Sequence, residues 1–318
     1  MNKLKKIGLT ALAASLVTTS AFAGALTVSG GASLGVKNTT GTNDPSTGKG
    51  FTMGNQITFS GSGELDNGLN VALSFTIDES DGDTATTSGP ANGSIFDGHS
   101  VTLSSDALGT FKFSGEGGSS AQGAMDAGAA GDLWNNGTGV AEITGAAAGN
   151  NSMFYTLPSM VDGLEVTASM SPGKASQETH TSYGVAYTGV EGLTVKFGQG
   201  DSGAPAAEIE TTTMMASYAI GSFTVSASNT EADKTGANNR EVRSYQVAYT
   251  LSDSMSATYG TETYETVGSS TDEEIDSLGV SYTTGGMTLS ATTFDTEGAG
   301  NTAGAKTERW ALGLSFAF

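Results

Sequence analysis

The 318-residue sequence has no cysteine, only five prolines and two histidines, and 13 basic residues against 33 acidic ones. Without cysteine there is no disulfide framework and no thiolate chemistry. So few Lys and Arg exclude nucleic acid as a partner, because binding there depends on neutralising phosphates. A formal net charge of -20 attracts cations instead, divalent ones above all. After the first two dozen residues no apolar run is long enough for a membrane helix. If such a chain spans a membrane, only a closed barrel is left to it, since lipid offers no partners for open backbone groups. Aromatics are scarce too, at 8%. That scarcity in an acidic chain would fit disorder, but disorder does not produce ordered alternation, and alternation is what this chain has.

The N-terminus reads as an export signal. Lys3, Lys5 and Lys6 make a positive region, Ile7 to Val17 an apolar one, and Ala21-Phe22-Ala23 a small-x-small cleavage site. The apolar region is too short to cross a bilayer of ~30 Å as a helix. We expect residues 1–23 to be removed after Ala23, which takes three lysines away and leaves residues 24–318 more acidic still.

From Leu26 onward the dominant signal is alternation with a period of two, the mark of strands with two unlike faces. Leu69, Val71, Leu73, Phe75 and Ile77 alternate with Asn70, Ala72, Ser74, Thr76 and Asp78. About sixteen such segments succeed one another, beginning near residues 25, 51, 68, 98, 109, 151, 163, 179, 191, 211, 221, 241, 254, 274, 286 and 307. Each runs for roughly eight to twelve residues, close to what a tilted transmembrane strand needs. In this register no charge falls on the apolar parity, while Lys112, Glu165, Lys196 and Arg309 fall on the other. A charge facing lipid at mid-bilayer costs roughly 2–4 kcal/mol, so the pattern predicts a membrane barrel rather than a soluble sandwich.

Connections alternate as well. Short turns such as Asp66-Asn67-Gly68 and Gly285-Gly286 supply the positive φ of tight hairpins. Between them fall polar, Gly-rich loops at 37–50, 78–97, 117–150, 172–178, 200–210, 230–240, 264–273 and 296–306. The fold class expected is all-β: a transmembrane antiparallel barrel of about 16 strands, short turns periplasmic and long loops extracellular. Trp310, Leu312, Leu314, Phe316 and Phe318 occupy every second position of the final segment, and Phe318 ends the sequence.

The signal, the opening strand Leu26-Thr27-Val28-Ser29-Gly30, the hairpins around Gln56–Ile77 and His99–Ser114, and the ending Trp310–Phe318 together resemble the Gram-negative general-diffusion porins, in style those of alphaproteobacteria. The likeness is architectural and covers all of 24–318. It implies an outer-membrane, water-filled pore, a homotrimer, contact with lipid and lipopolysaccharide, and assembly guided by Trp310, Leu312, Leu314, Phe316 and Phe318. In that family the third extracellular loop folds inward, and the third long loop here is 117–150, which carries Asp126, Asp132, Trp134 and Glu142. Glu116 leads into it. Basic partners on the facing wall would be Lys37, Lys112, Lys196 and Arg309, which are too few for a full arginine ladder. A flexible external loop is the rival reading of 117–150.

No catalytic constellation emerges. Gly31-Ala32-Ser33-Leu34-Gly35 matches G-x-S-x-G, but that motif needs a strand-to-helix turn and Ser33 sits in an alternating strand. Gly198–Gly203 matches a dinucleotide pattern without a surrounding βαβ unit. His99, near Asp97, and His180 have no placed nucleophile. The acidic groups Asp78, Glu79, Asp81, Asp83 and Asp272, Glu273, Glu274, Asp276 lack EF-hand spacing. They read first as a solvated mouth and second as loop sites for Ca²⁺ or Mg²⁺, and no other cofactor is expected. The function expected is passive diffusion of small hydrophilic solutes and ions with a preference for cations, with no enzymatic step. A substrate-selective porin, or an adhesive barrel with an occluded lumen, are the alternatives.

Overall fold

In a computed structural model of the chain, the structure describes residues 26–41, 48–78, 96–126, 129–133, 143, 145–173, 178–204, 207–236 and 239–318. They form β1 (Thr27–Gly41), β2 (Gly48–Glu64), β3 (Asn70–Asp78), β4 (Phe96–Ser105), β5 (Gly109–Glu116), β6 (Ser152–Thr156), β7 (Leu164–Ser171), β8 (His180–Tyr187), β9 (Leu193–Ser202), β10 (Ile209–Ile220), β11 (Phe223–Lys234), β12 (Arg240–Ser252), β13 (Met255–Thr266), β14 (Glu273–Thr284), β15 (Met287–Glu297) and β16 (Lys306–Ala317). Each strand is antiparallel to the next, and β16 returns to β1 from Gly31↔Ala317 to Gly41↔Thr307, closing the barrel. Closure pairs every strand on both edges, which is how a sheet meets lipid without open hydrogen-bonding groups. Phe318 completes the seam by exchanging both backbone hydrogen bonds with Gly30, at 2.8 and 3.0 Å.

Sixteen strands agree with the alternation. The short turns are tight because glycine takes the left-handed conformation there, as at Gly221 (φ 59°) and Gly285 (φ 58°). The loop ends differ from expectation. Strands run on into the segments read as loops: β1 to Gly41, β9 to Ser202, β11 to Lys234, β13 to Thr266 and β15 to Glu297. In consequence the outward parity does carry charge, contrary to the sequence register: Glu241, Arg243, Glu265, Asp276, Asp295 and Glu308 all share it with Tyr245, Leu278 or Trp310. The physical reason is height. These residues occupy the loop ends of the strands, past the large apolar side chains, where the ladder continues in water and a carboxylate keeps its hydration. There Arg243 pairs with Glu241 (3.5 Å) and with Glu265, and Tyr259 Oη donates to Asp276 (2.9 Å).

The outer face is itself asymmetric. Tyr155, Tyr183, Tyr187, Tyr218, Tyr245, Tyr249, Tyr259, Tyr282 and Trp310 stand on outward positions of β6–β16. The described outward aromatics of β1–β5 are all phenylalanines, among them Phe51, Phe59 and Phe75, with Phe59 stacked on Phe75 at 5.0 Å between centroids. The shortest strand, β6 with 5 residues, comes directly after segment 117–150 and falls short of the eight expected.

Candidate functional site

The lumen is where polar side chains converge, and part of segment 117–150 lies against it. Beyond β5 the chain caps a short helix, α1 (Ala121–Met125), with Ser120, whose Oγ accepts from Gly123 N at 2.9 Å. Orphan backbone donors of α1 and the residues after it then find hydroxyls on the inner wall. Ala121 N donates to Ser169 and Ser182 (3.0 and 2.9 Å), Ala129 N to Ser228 (2.8 Å) and Ala130 N to Ser244 (2.7 Å). These hydroxyls come from β7, β8, β11 and β12. Burying a donor unpaired would cost about 1–3 kcal/mol, so each serine answers a need that the inward segment creates.

Gln122, fully buried, spends its whole amide here. Its Nε2 donates to Thr213 Oγ1 on β10 and its Oε1 accepts from Ala146 N, both at 2.9 Å. So close an approach needs glycine on the wall. A Cβ at Gly198 would stand 2.9 Å from Gln122 Cα, one at Gly184 would stand 2.7 Å from Ala121 O, and one at Gly200 would stand 2.6 Å from Ala146 Cβ. At Gly260 on β13 the neighbour would be Ala130 Cβ, 2.7 Å away.

A dry patch extends this contact. Ala130, Leu133 and Ile143 of the segment pack with Ile209, Ala232, Val242, Tyr264 and Ile275, which occupy inward positions on β10–β14, and Phe294 on β15 lies at its edge. Inward apolar residues break the polar-inside rule of an aqueous barrel. That break is the sequence signal that could have located the contact. Reading strand by strand misses it, and misses Gln122, Ser182, Ser244 and Thr213 as well.

The residues singled out from sequence are scattered over the barrel. Asp126, just past α1, is half-buried; Thr230 Oγ1 donates to it at 3.1 Å and Gln122 Nε2 lies at 3.5 Å. Burial pushes its carboxyl above the ordinary value near 3.8, against the opposing pull of its Thr230, Gln122 and Thr213 neighbours. Asp132 adopts a left-handed conformation, φ 52°. Trp134 and Glu142 lie outside the described residues. Lys112 faces inward on β5 between Thr102 and Phe154, and Lys196 on β9 between Ala186 and Met215. Lys37 and Arg309 line one recess of the β1–β16 wall with Ser33, Thr52, Ser290 and Thr292, and Arg309 lies over the Phe294 ring at 5.3 Å. Glu116 ends β5 one residue past a bulge opposite His99, so simple alternation does not carry through to it. Trp310, Leu312, Leu314 and Phe316 face outward on β16. Asp78 closes β3, while Glu79, Asp81 and Asp83 lie outside the described residues. Among the described residues no three carboxylates or histidines converge as a metal site. His180 instead bonds Asp201, Nδ1 to Oδ2 at 2.6 Å, beside the point where Ala147 N donates to the Asp201 carbonyl (2.9 Å).

The barrel fold has counterparts among known proteins. A family model described as Gram-negative porin matches residues 8–252. No curated protein sequence gives a significant match. Among solved structures, OmpF of Salmonella typhi in complex with daunomycin superposes with a TM-score of 0.70 at 14% identity, over 92% of this chain and 97% of that one. A porin refined at 1.8 Å resolution gives 0.64 at 20% identity, over 92% of this chain and 100% of that one. The anion-selective porin of Comamonas acidovorans gives 0.64 at 15% identity, over 92% and 99%. At these identities the likeness is one of fold.

Proposed function

This chain belongs to the Gram-negative porin family, and we propose that it works as an outer-membrane channel through which small hydrophilic solutes and ions diffuse passively, narrowed by segment 117–150. The observation that carries the reading is the division of the inner wall. From β7 to β14 the wall is occupied by the inward segment, while β15, β16 and β1–β4 line open recesses with small hydroxyl side chains such as Ser33, Thr52, Ser60, Ser74 and Ser290. A lining made mostly of Ser and Thr, with Lys37, Lys112 and Arg309 among them, suits passage without tight binding. The reading assigns no covalent step to the chain. Single-channel recording in planar bilayers tests it: steps of stable conductance are expected, and a folded barrel that does not conduct would overturn it in favour of an occluded, adhesive one.

We further propose a preference for cations. The anion-selective neighbour indicates that a shared fold does not set the sign of selectivity, so side chains must. Here 33 acidic residues outnumber the basic ones, and many of them stand on the loop ends of β10–β16, where a negative potential concentrates cations at the mouth. Anion-selective reversal potentials in a salt gradient would contradict this. A homotrimer is supported by the outer face: tyrosine and tryptophan, which favour membrane interfaces, are missing from the described outward positions of β1–β5, as they would be where a second copy replaces lipid. Cleavage after Ala23, an assembly role for the strand ending in Phe318, bridging of rim carboxylates to lipopolysaccharide by Ca²⁺ or Mg²⁺, and an alphaproteobacterial origin stay part of this reading, on the sequence alone.

A further inference from the structure

We propose that Gln122 is the positioning residue that sets the width of the channel, by holding both limbs of the inward segment to one point of the wall. This rests on the reading of 117–150 as the constriction. The outgoing limb is α1, which carries Gln122 itself; the returning limb passes through Ala146. One amide joins them, with its donor on Thr213 of β10 and its acceptor on Ala146 N. The side chain has 0% exposure, so water cannot take over either partner in place. Hydroxyls holding α1 alone, such as Ser169 and Ser182, would leave the returning limb where it is. Loss of Gln122 removes a hold from both limbs at once, leaving α1 to the Ser169 and Ser182 hydroxyls and the returning limb to the bond from Ala147 N to the Asp201 carbonyl. The wall is shaped for this arrangement, since glycine at 198 and 200 admits Gln122 and Ala146 to within contact of the backbone. Thr213 is in turn oriented by Thr230 at 3.0 Å, whose hydroxyl also lies 3.1 Å from Asp126, so the anchor under Gln122 is itself braced.

The absence of cysteine gives a clean test. Ala146 is 7% exposed, and a single Ala146→Cys variant of the full chain reports whether the returning limb stays on the wall. Adding Gln122→Ala is expected to raise the rate of labelling by a hydrophilic thiol reagent about tenfold, the equivalent of one buried hydrogen-bonding partnership lost. Gln122→Ala alone is expected to give larger and noisier single-channel conductance, while heat-modifiable migration reports an intact barrel. Gln122→Glu loses the donor and sets a buried carboxylate beside Asp126, and is expected to raise labelling at least as far as alanine does. A residue of merely structural importance would lower thermal stability and move neither labelling nor conductance. Replacing 127–144 with a short Gly-Ser linker separates the two levels of the claim. If the replacement widens the channel and Gln122→Ala does not, Gln122 is not the positioning residue. If the replacement leaves conductance unchanged, the constriction reading itself fails. Unchanged labelling at residue 146 overturns the role of Gln122 in every case.

Discussion

From β7 to β14 the inner wall is pitted with glycine, studded with hydroxyls that face backbone donors, and crossed by inward apolar residues. From β15 round to β5 the inward positions are mostly Ser and Thr, with Lys37, Lys112 and Arg309 among them. Both walls belong to one sheet and share one alternation. They differ because the first has protein for a neighbour and the second has water. Glycine shows the contrast most directly. Gly198 and Gly184 face backbone atoms of α1 that cannot step aside, whereas a Cβ at Gly54 would meet Ser33 Oγ at 3.0 Å and one at Gly313 would meet Ser290 Oγ, both of them ends of small side chains that can rotate. The same residue type records a close backbone approach on one wall and slack on the other.

The largest effect that tests this contrast is expected from Gly198→Val beside Gly54→Val. The first drives a branched side chain into the Gln122 backbone and should expel α1, giving a conductance well above the parent's. The second should lower conductance slightly by adding bulk to the passage. Equal responses, measured in the same bilayers, would erase the distinction between the walls. A smaller effect is expected from paired alanine substitutions. Ile275 is 1% exposed in the apolar patch, and Ile275→Ala should cost about 2–5 kcal/mol in urea or thermal unfolding. Thr292→Ala, in the open recess, should change stability by no more than about 0.5 kcal/mol.

This division also explains which features are legible in the sequence. Lipid imposes one rule on every strand, so the outward parity, the sixteen segments and the turn glycines stand out as a repeated pattern. Alternation says which face a residue occupies but not how high it stands. That is why Asp276 and Glu241 can sit on the apolar parity and yet be in water, and why the strands end several residues beyond the expected loops. Lumen contacts obey no repeat. Serine at 182 or 244 looks like any other pore-lining serine until Ala121 or Ala130 presents its N–H. The apolar intruders at Ile209, Val242, Tyr264 and Ile275 depart from pattern, and together they trace a band across neighbouring strands that marks the docked segment. Residue 115 marks a further limit: one bulge at Gly115 and Glu116 shifts the count, and parity alone misplaces the residues beyond it.

The smallest expected effect distinguishes the walls by pH. Asp126 is an acid of the inward segment half-buried against the covered wall, among the uncharged partners Thr230, Gln122 and Thr213, and burial raises its carboxyl above 3.8. An acid whose docked value is raised favours docking when protonated. Its contribution is therefore complete below the undocked value near 3.8 and is lost as pH rises through the docked one. Labelling at Ala146→Cys, read relative to a free thiol to remove the reagent's own pH response, should accordingly rise over that interval and level off above it. Asp126→Asn keeps an oxygen for Thr230 and removes the titration, so its profile should be flat. A profile that falls with pH, or one that survives Asp126→Asn, would place the titrating group elsewhere. Hydroxyls such as Ser290 and Thr292 do not ionise in this range, so a slope that survives Asp126→Asn would point to other acids, among them Glu262 and Glu273, buried on β13 and β14.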